Sequence, residues 1–278
     1  MTVETEVARH YTTGALTQRV RAALTAMGVD PDAATAEDLK ACDEFHTGGV
    51  QATDALLEHL EITAATRVLD IGCGIGGPAR LLASRYGCTA VGVDLTQEFV
   101  DTAAELSEMV GLDHKTAFHQ GSALDLPLPA ESADLALLLH VGMNIEDKPK
   151  IFAEAFRVLS PGGTFAVFDV MRDRDTETPL IFPLPWSSVA ETSFVTPPIA
   201  YQNAARAAGF TEMHHRNRSD FAKAFFAEVF AKVAAEGLPA LGIHLMMGET
   251  AGDKIKNYVQ NLDAGRISPV ELIFRKPI

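Results

Sequence analysis

The chain is poor in cysteine, in tryptophan and in basic residues. Its 278 residues include 3 cysteines and 1 tryptophan, and 37 acidic residues outnumber 23 lysines and arginines, for a formal net charge of −14. The scattered Cys42, Cys73 and Cys88 exclude a disulfide framework and a C-x-x-C metal site, and they fit a reducing cytoplasm. The negative charge argues against nucleic acid as a substrate, because it repels a phosphate backbone.

Long hydrophobic runs and a basic leader are also lacking. The longest nearly apolar run, LALLLHVGMNI, is far too short to span a bilayer. The first residues, MTVETEVARHY, carry acids where a signal peptide carries bases. We therefore expect a soluble cytoplasmic protein without a membrane span. A hydrophobic fraction of 47% is ample for one large α/β domain, or for a domain with an added lobe.

Strands and helices alternate in the middle of the chain. Four buried runs, RVLDIG, CTAVGVD, ADLALLLH and TFAVFDVM, are separated by helical segments, and a weaker strand, KTAFHQ, lies between the second and third. This alternation predicts a mostly parallel sheet with helices on both faces. A helix, a strand near 210–218, helical material at 220–263 and a final strand, RISPVELIFRKP, extend the pattern. We expect the helices between the last two strands to form a cap.

Residues 1–62 are predicted to be helical and to form an N-terminal lid, with residues 63–278 forming the main domain. Two segments of that domain, 173–196 and 219–264, are predicted to be insertions on the substrate side. Thr47-Gly48-Gly49 interrupts the N-terminal helical pattern.

The stretch VLDIGCGIGG fits two cofactor-binding patterns. Gly72, Gly74 and Gly77 satisfy G-x-G-x-x-G, which predicts a nicotinamide-dependent oxidoreductase. Gly72, Gly74 and Gly76, preceded by Asp70, satisfy acid-x-G-x-G-x-G, which predicts a transferase that uses S-adenosylmethionine (SAM). Both need a tight turn at which the backbone approaches the ligand.

Two acids help to decide between these patterns. Asp94, at the end of the next strand, could accept hydrogen bonds from ribose hydroxyls of either cofactor. Asp70 is placed to neutralise the ammonium group of a methionyl moiety, whereas beside a diphosphate it would be repelled. SAM is therefore favoured.

Successive motifs resemble the class I SAM-dependent methyltransferases. They are VLDIGCGIGG, VGVD, GSALDLP, HVGMNI and RVLSPGG, in the order and at the spacing usual for that family. DEFHTGG, GGPARLLA and the closing RKP are similar to its small-molecule branch, around quinone-biosynthesis and glycine/sarcosine-type amine methyltransferases. The resemblance implies a Rossmann-like sheet of seven strands whose last strand is antiparallel and lies next to the sixth.

The resemblance also implies a cofactor site, with SAM as methyl donor and S-adenosylhomocysteine as product. Carried over by motif position, its residues are Asp70, Gly72, Cys73, Gly74, Gly76, Asp94, Leu95, Ser122, Ala123 and His140. The family often has an acid where this chain has Ser122, to accept from the adenine amine; Asp125 is a possible substitute.

Methyl transfer requires alignment and exclusion of water, and it requires a base only when the nucleophile carries a proton that must leave. His140, at a strand end, is a candidate base, with stacking on the cofactor as the alternative role. His46 is a second candidate, as part of the lid, or else a surface histidine that caps a helix. Asp43 and Glu44 are expected to be solvated helix charges.

The acceptor is a small molecule whose identity the sequence leaves open. Phe182, Trp186 and Phe194 could form a cage for an amine, or could pack a Pro-rich loop onto the core. C- or O-methylation of a quinone-like or phenolic metabolite is the alternative, and a SAM-binding protein without catalysis is a further one. His114, His119 and His214-His215 lack metal-ligand spacing, so no metal is expected. A homodimer is left open.

Overall fold

A seven-stranded sheet runs through the computed structural model, which describes residues 3–12, 14–175 and 177–278. The strands are β1 (Arg67–Ile71), β2 (Thr89–Asp94), β3 (Thr116–Gln120), β4 (Ala133–Leu139), β5 (Leu159–Arg172), β6 (Thr211–Asn217) and β7 (Ile267–Arg275). Their order in the sheet is β3-β2-β1-β4-β5-β7-β6. Strands β1 to β5 pair in parallel, and β7 is antiparallel to both β5 and β6. The predicted fold, including its antiparallel last strand, is confirmed.

The helices follow the predicted alternation. Those before the sheet are α1 (Val3–Tyr11), α2 (Leu16–Ala26), α3 (Lys40–Asp43) and α4 (Gly49–Leu57). Those between strands are α5 (Gly77–Tyr86), α6 (Gln97–Met109), α7 (Lys148–Val158) and α8 (Pro198–Ala208). The segment between β6 and β7 contains α9 (Ser219–Glu236), α10 (His244–Met247) and α11 (Ala251–Asp263), and we call these three helices the cap.

Both faces of the sheet are covered by other parts of the chain. Neighbouring residues of a strand point to opposite faces, so one strand contributes side chains to the clusters on both sides. Leu69 and Leu138 belong to one buried cluster, which also contains Phe152 of α7. Val68 and Leu137, their neighbours in the chain, belong to a second cluster with residues of α4 and α5. The two central strands are thus apolar on both sides, which explains why their sequences are nearly continuous hydrophobic runs.

The N-terminal helices share a core with the rest of the chain. Leu16 and Leu24 of α2 are buried in one cluster with Phe99 and Leu106 of α6 and with Met246 of the cap. The division at residues 62/63 and the lid role therefore remain predictions. The predicted N-terminal and insertion segments include Met1, Thr2, Thr13 and Thr176, which lie outside the described residues.

Strand β5 is longer than the run TFAVFDVM that predicted it. It begins at Leu159, ahead of the SPGG segment, because Leu159 pairs with Ala133 before an irregularity in the ladder. Helix α6 starts after Thr96 and ends before Val110. Among the described residues, no helix combines the length and the apolar character that crossing a bilayer requires.

Candidate active site

A cavity of about 340 Å³ lies at the carboxyl ends of β1, β2 and β4. Parallel strands place these ends at one edge of the sheet, which is where open α/β sheets bind ligands. The loops after the three strands form its floor, α1 lines one side, and residues of the cap line another. Mostly apolar side chains surround a small number of polar groups, the usual composition of a small-molecule site.

Gly72 and Gly74 form the part of the glycine loop that faces the cavity. Both have a positive φ, of 72° and 53°. A Cβ at residue 72 would lie 2.3 Å from Cγ2 of Val141, whereas a Cβ at residue 74 would meet nothing within 4 Å. Gly72 thus permits close packing of two loops, and Gly74 leaves open the space into which a ligand can approach the backbone.

Gly76 and Gly77 serve packing and are not among the residues that line the cavity. A Cβ at residue 76 would lie 2.7 Å from Cζ of Phe118. A Cβ at residue 77 would lie 1.9 Å from the carbonyl oxygen of Asp43. The third glycine of the dinucleotide-type pattern is therefore required by the approach of the N-terminal segment. Gly76 packs against Phe118, and its contact with a cofactor remains a prediction.

Asp70 is a buried carboxylate with an unpartnered oxygen. Its side chain is 1% exposed, and Oδ2 has no hydrogen-bond partner among the described residues. Burial, together with the negative charges of Glu44 and Asp94, raises the pKa of Asp70 to about 8. A cationic group in the cavity would supply both the missing partner and the missing charge.

Asp94 holds the glycine loop. Its Oδ2 accepts from the backbone N–H of Gly74 at 2.9 Å, and its Oδ1 accepts from the N–H of Thr96 at 2.8 Å. Burial raises its pKa above the ordinary value, against the lowering effect of these bonds. Leu95 and Cys73 also line the cavity, and Cys73 is buried.

Ser122 and Ala123 line the cavity beside a carboxylate that the sequence did not reveal. The Ser122 hydroxyl donates to Oε1 of Glu4, on α1, at 2.5 Å. Asp125, considered above as a substitute acid, is exposed and is not among the lining residues. Glu4 therefore brings a carboxylate to the place where position 122 lacks one.

His140 follows β4 with φ of 56°, a conformation rare for a residue with a side chain. Its backbone N–H donates to the carbonyl of Phe168 at 2.7 Å, and its ring Nε2 has no partner among the residues that the structure describes. Burial and the neighbouring His46 hold the pKa of His140 well below its ordinary value.

His46 is buried and lines the cavity, which rules out the surface-histidine alternative. Its Nε2 lies 2.9 Å from Oε2 of Glu44 and 3.0 Å from Oγ1 of Thr53, while its Nδ1 has no partner in the part of the chain that the structure describes. Its ring centroid lies 5.8 Å from that of His140. Two imidazoles with unpartnered nitrogens thus meet at this end of the cavity.

Asp43 and Glu44 are buried, so the expectation that they are solvated helix charges is wrong. Asp43 accepts from Arg80 at 3.0 Å, and Lys40 donates to both acids at 3.3 Å. Lys40 is a local partner, three and four residues before the acids, whereas Arg80 of α5 is brought to Asp43 by the tertiary structure. Burial alone would raise the pKa of Glu44, but the bond to His46 and the charge of Lys40 hold it below its ordinary value.

The predicted aromatic cage is not assembled. Trp186 lines the cavity and donates its indole N–H to Ser193 at 2.9 Å. Phe182 and Phe194 are half-buried beside it and are not among the lining residues. Phe182 packs in the cluster beneath the insertion, as the packing alternative states, and the Phe194 carbonyl accepts from Lys148 at 2.8 Å.

Other lining residues were not predicted. Tyr11 of α1 and Phe225, Phe226 and Tyr258 of the cap are supplied by distant elements, whereas Asn144 lies in the HVGMNI motif beside His140. The Tyr11 hydroxyl is 3.4 Å from Oδ1 of Asn144, and the Tyr258 hydroxyl is 2.8 Å from Oγ1 of Thr47. A tyrosine in an amphipathic helix is normally interpreted as core, so no sequence signal marks the two tyrosines.

One group outside the cavity has atoms spaced like metal ligands. His59, His214 and Glu271 place ligand atoms within 4.8 Å of one another, in the part of the chain that the structure describes. Glu271 already pairs with Arg216 at 2.8 Å and with Arg218 at 2.5 Å. Two guanidinium groups on the carboxylate oppose a cation there, and we assign it a structural role.

The strand order, the glycine turn and the strand-end acids define a class I Rossmann-like methyltransferase fold. Residues 69–167 match the family described as "Methyltransferase domain".

Known proteins with similar sequences are methyltransferases by name. The methyltransferase GfsG of Streptomyces halstedii is 31% identical over 134 residues, 48% of each chain. Ajmaline N-methyltransferase of Rauvolfia serpentina is 37% identical over 107 residues, 38% of this chain and 37% of the relative. The chain thus spans about half, or less, of the length of these curated relatives.

A solved structure extends the likeness in fold over the whole chain. Phosphoethanolamine N-methyltransferase 2 of Haemonchus contortus, in complex with phosphomonomethylethanolamine and S-adenosylhomocysteine, has a TM-score of 0.76 at 19% identity. The match covers 100% of this chain and 61% of that one. At this identity the likeness establishes the fold.

Proposed function

We propose that this protein transfers the methyl group of SAM to a small-molecule acceptor by in-line displacement. The observation that carries the proposal is the buried, unpartnered oxygen of Asp70. SAM carries an ammonium group in its methionyl part, and this group would satisfy that oxygen. A diphosphate at the same place would leave the Asp70 oxygen without a cationic partner and would lie against the carboxylate of Asp94, which argues against a nicotinamide cofactor.

The other lining residues fit the same ligand. The open space at Gly74 admits the methionyl backbone, Asp94 is placed to accept from the ribose hydroxyls, and Leu95 and Ala123 offer apolar contact to adenine. We infer that Glu4, through its position on Ser122, accepts from the adenine amine. SAM supplies an activated methyl group; the protein aligns the acceptor and excludes water.

Calorimetric titration with SAM, S-adenosylhomocysteine and NADH tests this proposal. We expect both adenosyl sulfur compounds to bind and NADH not to bind. Binding of NADH alone would contradict it. A SAM-binding protein without catalysis is distinguished by mass spectrometry of a small-molecule panel incubated with enzyme and SAM, in which the proposed activity adds one methyl group to an acceptor.

A further inference from the structure

The cap side of the cavity is apolar, and its polar groups are neutral. Side chains of the cap that line this part are Phe225, Phe226, Ile243, Ile255 and Tyr258. Phe226 and Tyr258 are 6% and 2% exposed. The Tyr258 hydroxyl bonds to Thr47, the residue next to His46. An acceptor bound against the cap therefore has its polar end near His46 and its apolar body among these side chains.

Buried and half-buried carboxylates that line the cavity are otherwise engaged. Asp70 and Asp94 belong to the proposed cofactor site, and Asp43 pairs with Lys40 and Arg80. The exposed ones are Glu4, which accepts from Ser122, Asp147, which accepts from the N–H of Lys150, and Glu146. An acceptor that entered as an ammonium ion would find, among the described lining residues, only the exposed Glu146 as an unengaged carboxylate. The cavity thus favours an acceptor whose polar end is neutral.

Glu44 and His46 are arranged as a carboxylate–imidazole pair. Oε2 of Glu44 accepts from Oγ1 of Thr53 at 2.8 Å and lies 2.9 Å from Nε2 of His46. A carboxylate at Nε2 keeps the imidazole proton on that nitrogen, which leaves the lone pair on Nδ1, a buried atom without a partner among the described residues. The carboxylate also stabilises the imidazolium that forms when Nδ1 accepts a proton.

We propose that His46, oriented by Glu44, is the base that takes the proton from a hydroxyl group of a neutral, mainly apolar acceptor. The proposal rests on the methyltransferase function proposed above. His46 would touch the acceptor, and Glu44 is a positioning residue.

The step is balanced in atoms and charge. The acceptor oxygen forms its bond to the methyl carbon while the bond from that carbon to sulfur breaks, and the electron pair of the broken bond stays on sulfur. The hydroxyl proton passes to Nδ1 of His46. The positive charge of the sulfonium thereby becomes the positive charge of the imidazolium beside Glu44, and water receives the proton later.

Charged and titratable groups surround the pair on every side. They are Lys40 and Asp43 of α3, Asp70 of β1, Arg80 of α5, His140 after β4 and Tyr258 of α11. Lys40 and Arg80 are held by Asp43 and Glu44, which leaves His140 as the competing base. Its ring lies 4.9 Å from that of Phe168 and has no carboxylate partner that could stabilise an imidazolium.

Three naphthalene probes of similar size test whether the acceptor is a hydroxyl, a thiolate or an amine, and whether His46 is needed as a base. In 2-naphthol the nucleophile carries a proton at pH 8, naphthalene-2-thiol is largely ionised there, and 2-naphthylmethylamine is largely cationic. We expect the wild-type enzyme to methylate the first two in preference to the amine. His46→Asn should slow transfer to naphthol about 100-fold or more, the usual contribution of a general base, and should slow transfer to the thiolate far less. His140→Asn is the matched control and should not discriminate between the probes.

Every other outcome contradicts a stated part of the proposal. Equal losses of transfer rate to naphthol and to the thiolate in His46→Asn would show that His46 has a structural role. A loss confined to naphthol in His140→Asn would show that His140 is the base. Preference for the amine, or transfer to none of the probes although SAM binds, would overturn the acceptor class. Failure to bind SAM would instead overturn the proposed function, which calorimetry on each variant detects.

A spectroscopic measurement tests Glu44 without turnover. In the ¹⁵N-labelled protein saturated with S-adenosylhomocysteine, long-range ¹H–¹⁵N correlation should show His46 protonated on Nε2 and bare on Nδ1. Glu44→Gln should weaken that tautomer preference and move the acidic limb of the naphthol pH–rate profile to lower pH. A proton on Nδ1, or an unmoved limb in Glu44→Gln, contradicts the positioning role.

Discussion

Replacing Asp70 with asparagine isolates the contribution of one carboxylate to cofactor binding. The substitution keeps the shape of the side chain and removes its charge. A hydrogen bond to a charged group is worth about 1.5–3 kcal/mol, so the dissociation constant for SAM should rise about 10- to 150-fold. NADH should still not bind, since the loop geometry is unchanged.

Because of the same carboxylate, we expect SAM binding to release a proton. Because the pKa of Asp70 is raised to about 8 in the ligand-free protein, the group is mostly protonated at pH 7. Pairing with an ammonium group requires the carboxylate, so SAM binding at pH 7 should release close to one proton. Calorimetry in two buffers of different ionisation enthalpy measures this number, and Asp70→Asn should abolish that contribution.

The raised pKa of Asp70 should also make the stability of the ligand-free protein fall as pH rises. The folded-state pKa of Asp70 lies above the ordinary value of 3.8, so the folded protein holds this proton more tightly than the unfolded chain. Its contribution to stability is fully present below pH 4 and is lost as pH rises to about 8, by up to about 1.4 kcal/mol per pH unit. Ligand-free Asp70→Asn should therefore have a higher denaturation midpoint than wild type at pH 8.5. Unchanged SAM affinity together with no change in proton release would refute the assignment of Asp70.

Three further substitutions test the cavity by calorimetry and the packing beside it by denaturation. Asp94→Ala should weaken SAM binding by about 1.5–3 kcal/mol, and unchanged affinity would remove Asp94 from the site. Glu4→Gln should weaken it by about 1 kcal/mol, with Glu6→Gln on the same helix as control, and equal effects would exclude a specific role for Glu4. Gly77→Ala should destabilise the fold by about 1–3 kcal/mol, because its Cβ would lie 1.9 Å from the Asp43 carbonyl oxygen. Gly252→Ala, whose Cβ would meet nothing within 4 Å, should be neutral or slightly stabilising, and a matching loss there would refute the packing argument.

The sheet and the site edge could be predicted from sequence because their signals are local. Continuous apolar runs alternating with helical periodicity imply a parallel sheet, and parallel strands place their carboxyl ends together. Asp70 and Asp94 lie at the carboxyl ends of such strands, and Gly74 and His140 follow them at short range. The sequence alone therefore predicted that these residues lie near one another and that they bind an adenosine group.

Contacts between distant segments were decided by the tertiary structure. Glu4 reaches Ser122 across 118 residues, and Arg80 reaches Asp43 across 37. No periodicity in α1 or α3 encodes these partners, and a charged residue without a visible partner is interpreted as solvated. The burial of Glu44 and His46, the separation of Phe182 and Phe194 from the cavity, and the packing role of Gly77 depend on which surfaces meet after folding. Local sequence specifies the elements and their turns, while the chemistry between elements requires their three-dimensional arrangement.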